Sequence, residues 1–214
     1  MDWSSLLNIR RGPKVGRLKG RTAVIAAVIL WVPAVAVGVG VLLRYSNTPG
    51  RLAGPPPEWP QSAGLRPVPG QSTLLVFAHP QCPCSRATIG ELALIVAHSR
   101  FQVNAYVLFY APRSMSEAWA RSDLWNDAAA IPGVHAIGDH DGLEVRRFGA
   151  STSGQTLLYD TNGHLVFNGG ITAARGHLGS NDGMDAVESM LEHGSAKHHT
   201  APVFGCSLLG LGDG

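Results

Sequence analysis

The stretch STLLVFAHPQCPCS, Ser72–Ser85, links a predicted strand to a predicted helix through two cysteines. The apolar run Ser72–Pro80 ends at a proline and predicts a buried strand. The segment Pro83–Ser99 carries apolar residues at mostly helical spacing, with its proline where the first turn of a helix tolerates one. Cys82 and Cys84 are therefore expected where unpaired N–H groups and the helix dipole favour thiolate over thiol. The thiolate is the form that attacks disulfides and binds soft metals.

Strand and helix patterns continue to alternate after this stretch. The pair Asn162-Gly163 lies between two apolar runs and predicts a hairpin. Because strand–helix alternation gives parallel pairing and a hairpin gives an antiparallel edge, we expect an α/β domain with a mixed central sheet and flanking helices. The predicted elements are strand 101–110, helix 114–130, strand 134–137, short helix 141–148, strands 155–160 and 164–168, and helix 182–193.

A run of 22 uncharged residues, Thr22–Leu43, precedes the domain. As a helix it would be about 33 Å long, and a bilayer's hydrocarbon core is about 30 Å thick. Six basic residues precede the run and two follow closely, so the positive-inside rule places the N-terminus in the cytoplasm. A cleaved signal peptide is the alternative, but its apolar region is usually shorter and ends at a small-residue cleavage site. We expect a single-pass inner-membrane protein with a periplasmic, or otherwise extracytoplasmic, domain.

The composition divides the chain into five predicted parts. The chain has a formal charge of +2, but residues 72–194 contain seven arginines, no lysine and twelve Asp and Glu, a balance of −5. With no basic stripe on the domain, we exclude nucleic acid as a partner. The parts are a basic cytoplasmic segment 1–21, a transmembrane anchor 22–43, a Pro- and Gly-rich linker 44–71 expected as an extended spacer, a domain 72–194, and a tail 195–214 that contains Cys206.

This order of elements, with a cysteine pair opening the first core helix, resembles the thioredoxin-like superfamily over residues 72–194. The whole arrangement resembles small membrane-anchored bacterial proteins of the RedB-like and TlpA-like kind. The resemblance implies a thiol–disulfide oxidoreductase that acts on protein thiols and disulfides and needs no cofactor. The stretches that carry it are His79-Pro-Gln-Cys-Pro-Cys-Ser85, Thr156-Leu-Leu-Tyr-Asp160 with Gly163, and Pro202-Val-Phe-Gly-Cys206.

Two features depart from the superfamily's pattern. Its motif is Cys-x-x-Cys, whereas one residue separates Cys82 from Cys84. Its cis-proline loop corresponds to Thr152-Ser-Gly-Gln155, where Gly154 takes the place of proline. That loop normally presents its backbone to the substrate sulfur, and glycine still allows close approach.

Exchange chemistry is the first hypothesis for the cysteines. Cys82 would attack a partner disulfide, and Cys84 would release the product from the mixed disulfide. We expect the Cys82 sulfur to be accessible and largely ionised. Cys206 is either a third redox member brought to the pair by the tail or a buried bystander, and His79 is a candidate base or thiolate partner.

Metal binding is the alternative hypothesis for the same residues. One imidazole and two thiolates, from His79, Cys82 and Cys84, suit Cu(I) or Zn. A fourth ligand would come from Cys206, His198 or His199. On this alternative the chain is a non-enzymatic copper-binding or metal-delivery protein. A further role for His79, hydrogen bonding to the backbone of its own turn, involves no metal.

Overall fold

The structure is a computed structural model that describes residues 15–99 and 103–209. The chain divides into two compact units between Tyr45 and Ser46. The predicted strand start at Phe101 and the basic residues before Val15 lie outside the described residues.

The first unit is the helix α1, Val15–Ser46, with Pro33 inside it. Its stretch Gly20–Ser46 is long and apolar enough to cross a membrane. Large apolar side chains along it are exposed, such as Leu30 and Trp31. The prediction of one N-terminal apolar helix is confirmed, and its length and composition fit an anchor as well as a signal sequence.

The second unit is an α/β domain. Its strands are β1 Ser72–Ala78, β2 Val103–Ala111, β3 Val134–His140, β4 Thr156–Tyr159 and β5 Leu165–Gly169. Its helices are α2 Ser85–His98, α3 Glu117–Ala120, α4 Asp123–Ala129, α5 Leu143–Arg147 and α6 Asp182–His193.

The five strands form one mixed sheet in the order β3-β2-β1-β4-β5. β1, β2 and β3 are parallel, while β4 runs antiparallel to β1 and to β5. Because side chains alternate between the faces of a strand, Leu74 and Val76 enter one core cluster and Leu75 and Phe77 enter the other. The predicted mixed sheet with flanking helices is confirmed, and β1 lies at its centre with side chains buried on both faces.

The predicted helix 114–130 is wrong as a single element. The structure has two short helices, α3 and α4, separated by Arg121 and Ser122. Ser122 has extended dihedrals and its carbonyl accepts the N–H of Trp125, 3.0 Å away. The Ser122 side chain makes no capping hydrogen bond, but Asp123 in the first turn of α4 favours a helix start here through the helix dipole. The first of the two helices, α3, begins at Glu117 with Ser116 as its N-cap, whereas the sequence predicted a start at Ser114.

The segment 46–71, expected as an extended spacer, packs on the domain instead. The Trp59 ring lies 5.0 Å from the Phe148 ring and 5.2 Å from the Tyr159 ring, both at steep angles. The Tyr159 hydroxyl donates to the carbonyl of Pro56 over 3.1 Å. The linker therefore covers the rings of Phe148 and Tyr159. Edge-to-face ring contacts and the burial of apolar surface both favour this packing.

Candidate functional site

The two cysteines lie in the turn between β1 and α2. The Cys82 N–H donates to the His79 carbonyl over 3.0 Å, and the Ser85 N–H donates to the Cys82 carbonyl over 3.1 Å. Cys84 is the N-cap of α2, which begins at Ser85. Cys82 therefore precedes the helix by three residues, so local hydrogen bonds carry more weight for its charge than the helix dipole does.

The third cysteine lies against the first. The sulfur of Cys206 is 3.1 Å from the sulfur of Cys82, although 124 residues separate them. Cys82 is only 1% exposed, and Cys84 and Cys206 are half-buried. The predicted accessibility of the Cys82 sulfur is therefore wrong, because the tail places the Cys206 thiol against that sulfur.

Hydrogen bonds favour the ionised form of Cys82. Burial alone would raise the pKa of the Cys82 thiol, but hydrogen bonds from the side chain and backbone of Cys206, from Ser85 and from the backbone of Cys84 together lower it below its ordinary value. Hydrogen bonds to the charged form favour that form. The thiolate is thus stabilised despite its burial.

Ser85, the first residue of α2, belongs to a chain of hydrogen-bonded hydroxyl groups that leads to Cys82. The Ser153 hydroxyl accepts the His79 N–H over 2.8 Å and lies 2.7 Å from the Ser85 hydroxyl. Since Ser85 donates to Cys82, a consistent direction of donation runs from Ser153 to Ser85 to the sulfur. The loop before β4 and the turn after β1 therefore orient one hydroxyl at the thiolate.

The other two thiols stay protonated. Burial, then the negative charge of Cys82 and a hydrogen bond to it, raise the pKa of Cys84. Burial, then the hydrogen bond to Cys82 and its charge, raise the pKa of Cys206 to about 12. Arg175 opposes both shifts through its positive charge. One thiolate with two thiol donors beside it is the charge state that this cluster favours.

Arg175 also joins separate segments at the site. Its guanidinium donates to the carbonyl of Gly205 in the tail and, over 3.3 Å, to the carbonyl of Thr48. A guanidinium has five donors in a fixed fork, which suits it to bridge two backbone segments while it faces Cys84.

Gly154 occupies the place where the superfamily has proline. Its φ is +92°, and an added Cβ would lie 3.0 Å from the Thr88 hydroxyl oxygen. Its N–H donates to the Phe77 carbonyl over 2.7 Å, a bond that proline cannot make. The described residues contain no cis peptide bond. Glycine thus lets the loop turn back onto the end of β1.

His79 faces aromatic rings and its own turn. Its ring lies 5.4 Å from that of Trp119 and 6.1 Å from that of Tyr110, and its Nδ1 accepts the Gln81 N–H over 3.2 Å. Burial lowers the pKa of His79, so the ring is neutral. Across residues 15–99 and 103–209 no group of three His, Cys, Asp or Glu side chains is arranged to hold a metal ion. The copper alternative, including His198 or His199 as a further ligand, stays a prediction.

Comparison with known proteins gives a structural likeness only. No protein-family description matches the chain, and no curated protein matches it significantly. A hypothetical protein from Sinorhizobium meliloti aligns at 19% identity with a TM-score of 0.52, over 75% of this chain and 93% of the other. An uncharacterized conserved protein from Geobacillus kaustophilus aligns at 14% identity with a TM-score of 0.55, over 76% and 92%.

The strand order and directions, with a cysteine turn after β1 that meets the loop before β4, decide the fold. The chain has a thioredoxin-like fold. A thioredoxin-like protein whose solution structure was solved in the oxidized form aligns at 16% identity with a TM-score of 0.42, over 66% of this chain and 93% of the other. A likeness at such low identities concerns the fold alone, and the chemistry depends on this chain's own residues.

Sequence patterns missed three contributors to the site. Ser85 and Ser153 lie in stretches quoted above but were assigned no role there, and Arg175 belongs to no motif; the Ser85–Ser153 contact and the Arg175–Gly205 contact each join segments distant in sequence. Arg175 had one available signal, since it is the only charged residue between Asp160 and Asp182. An isolated cation in a protein with reactive cysteines is a candidate partner for a thiolate.

Proposed function

We propose that this protein is a membrane-anchored, extracytoplasmic thiol–disulfide oxidoreductase with Cys82 as its nucleophile. The observation that carries the proposal is the Cys82 sulfur, whose pKa is lowered by hydrogen bonds and which is in contact with a second thiol at 3.1 Å. A thiolate with a thiol neighbour can both attack a disulfide and be released from the product.

The exchange has two steps. The Cys82 thiolate attacks one sulfur of a partner disulfide, so that a Cys82–partner disulfide forms and the partner's other sulfur leaves as a thiolate. A second thiol of the chain then attacks the Cys82 sulfur, and the partner leaves reduced. The sequence predicts Cys84 for this second step. The reverse sequence oxidises a partner dithiol with the same residues.

The fixed elements of the site fit this chemistry. The Ser153–Ser85 hydroxyl pair holds a donor at the Cys82 sulfur, which favours the charged form of the nucleophile before a partner arrives. Arg175 stabilises negative charge on Cys84 and Cys206, the two thiols of which one must ionise in the second step. Thiolate stabilisation at both stages is what sequential exchange requires.

The location follows from α1. A helix long and apolar enough to cross a membrane precedes the domain, and the excess of basic residues before it favours an N-terminus in the cytoplasm. Disulfide chemistry is typical of the oxidising side of a membrane. Alkaline carbonate should leave the full chain in the membrane fraction, and proteinase K should digest the domain only from the extracytoplasmic side. If carbonate extracted the full chain from the membrane, the proposal that α1 is a membrane anchor would be contradicted.

Trapping of a mixed disulfide tests the redox function. In a Cys84→Ser/Cys206→Ser double variant, oxidised glutathione should modify Cys82 and the adduct should persist, because no second thiol can release it. The matched control is Cys82→Ser, which keeps the other two thiols. The wild-type chain should reduce insulin disulfides in the presence of dithiothreitol, or oxidise a dithiol peptide, and Cys82→Ser should do neither. Equal activity in Cys82→Ser and wild type would contradict the proposal.

A further inference from the structure

The tail docks on the loop before β4 through its backbone. The Ser153 N–H donates to the Cys206 carbonyl over 2.8 Å, and the Leu208 N–H donates to the Ser151 carbonyl over 3.0 Å. Thr152 and Ser207 form an antiparallel bridge between these bonds. Main-chain pairing of this kind is how an extended peptide adds to an exposed strand or loop.

The docking is firm on both sides of Cys206. Val203 and Leu208 are each 1% exposed. The Val203 carbonyl accepts the N–H of Gly50 over 2.7 Å, and Arg175 holds the carbonyl of Gly205. The position of the Cys206 sulfur beside Cys82 is therefore set by anchors on either side.

We propose that Cys206, rather than Cys84, is the disulfide partner of Cys82, and that residues 203–208 occupy the place where a cysteine-bearing segment of a partner protein docks. This inference rests on the proposed function and names the resolving residue and the binding mode of its substrate. The substrate class is a protein disulfide or dithiol in an extended segment that pairs with residues 151–153 once the tail has moved aside, and the return of the tail then brings Cys206 to the mixed disulfide.

The turn geometry disfavours a bond between the two nearer cysteines. Cys84 has helical dihedrals as the N-cap of α2, and Ser85 closes a turn back onto Cys82. The Cys84 thiol is near enough to hydrogen-bond to the Cys82 sulfur, but side chains two positions apart on such a backbone diverge, whereas a disulfide needs Cβ atoms directed together. Cys206 approaches from a separate segment and faces the Cys82 sulfur directly.

Electrons and protons balance over the two exchange steps. The Cys82 thiolate and a partner disulfide R–S–S–R′ give Cys82–S–S–R and R′–S⁻. The Cys206 thiol then attacks the Cys82 sulfur, which gives the Cys82–Cys206 disulfide, and its proton leaves with the partner as R–SH. The partner disulfide gains two electrons, and the two cysteines of this chain lose them.

The protonation of Cys206 fits its place in this order. After burial, the two largest causes that raise the pKa of Cys206 are its hydrogen bond to Cys82 and the charge of that sulfur, with a smaller contribution from Cys84. Both disappear when Cys82 becomes part of a mixed disulfide, while the nearby Arg175 charge remains. Cys206 therefore becomes easier to ionise only after the nucleophile has reacted, which suits a resolving thiol.

Peptide mapping of the full-length chain in detergent tests this assignment. The reduced protein is incubated with oxidised glutathione, quenched with acid, alkylated and digested with trypsin. Cys82 and Cys84 share the tryptic peptide 52–86, and Cys206 lies in 198–214. We expect these two peptides to be cross-linked, with the cross-link retained in Cys84→Ser and lost in Cys206→Ser.

Each other outcome overturns a specific claim. A disulfide within peptide 52–86 of the wild-type chain, with Cys206 alkylated, would contradict the assignment of Cys206 and leave the proposed function standing. A chain whose Cys82 forms neither a cross-link nor a glutathione adduct in any variant would contradict the proposed function itself. Retention of the cross-link in Cys84→Ser identifies Cys82, since that variant has no other cysteine in the peptide.

Discussion

Gly205 lies directly against the backbone of Ser153, so that a Cβ atom added at position 205 would be 1.8 Å from the Ser153 carbonyl oxygen. Carbon and oxygen that are not bonded cannot approach so closely, and the obstacle is backbone rather than a flexible side chain. The absence of a side chain at this position is therefore what allows the tail to pair with the loop before β4.

The variant Gly205→Ala should displace the tail and expose Cys82. Forcing an extra methyl into a close-packed contact typically costs about 1–3 kcal/mol, which corresponds to docking weakened by roughly ten- to hundredfold. Alkylation of Cys82 by iodoacetamide should then accelerate, as measured by peptide mass spectrometry. Gly54→Ala is the matched control, because a Cβ there meets nothing within 4 Å. Equal alkylation rates in the two variants would argue against the tail as the cover of Cys82.

The variant Arg175→Met should act on both the tail and Cys84. The arginine lowers the pKa of Cys84 and holds the Gly205 carbonyl, so its loss should shift the alkylation of Cys84 to higher pH and also expose Cys82. The control is Arg113→Met, which removes an exposed ion pair with Asp141 and should leave both thiols unchanged. A Cys84 profile that is the same in Arg175→Met and wild type would contradict this role.

The three thiols should differ in how their alkylation depends on pH. The rate follows the thiolate fraction, so it rises with pH and levels off above the pKa. Cys82, whose pKa is lowered, should level off at a lower pH than Cys84, whose pKa is raised. In Cys206→Ala the loss of a hydrogen bond to the thiolate should raise the pKa of Cys82 and move its curve to higher pH. A curve that stays in place or moves to lower pH would show that Cys206 does not stabilise the thiolate.

The variant Gly154→Ala should destabilise the domain. A non-glycine residue held at a positive φ costs about 1–3 kcal/mol, and the added Cβ would press on Thr88 at 3.0 Å. Urea unfolding of the full chain should therefore show a lower midpoint. Gly138→Ala is the comparison, because its Cβ would make an ordinary 3.7 Å contact with Ala111. Comparable stability of the two variants would mean that the loop accommodates a side chain.

The order of strands and helices could be predicted from the sequence. The apolar residues of each core element recur at the spacing of a strand or a helix, and the pair Asn162-Gly163 marks the hairpin. Helix α6, Asp182–His193, has the predicted bounds, since Asn181 caps its start and Gly194 ends it in a left-handed conformation. The second predicted helix failed because Ser122 restarts the helix within an apolar pattern that is otherwise continuous.

The site was less predictable than the fold, for a physical reason. Cys82 and Cys84 are neighbours in sequence, and their position before a helix could be inferred from local patterns. The contact between Cys82 and Cys206 depends on backbone pairing across 124 residues, and no local pattern encodes such pairing. The burial of Cys82 follows from the same contact, which is why accessibility was expected wrongly.

The most direct measurement is the rate at which each of the three thiols of the reduced wild-type protein reacts with a small disulfide at neutral pH, resolved by peptide mass spectrometry. We predict that Cys82 reacts first each time the tail moves aside, because it alone of the three has a lowered pKa, and that Cys206 is consumed next in a bond to it. Reaction of Cys84 or Cys206 ahead of Cys82 would contradict the assignment of Cys82 as the nucleophile.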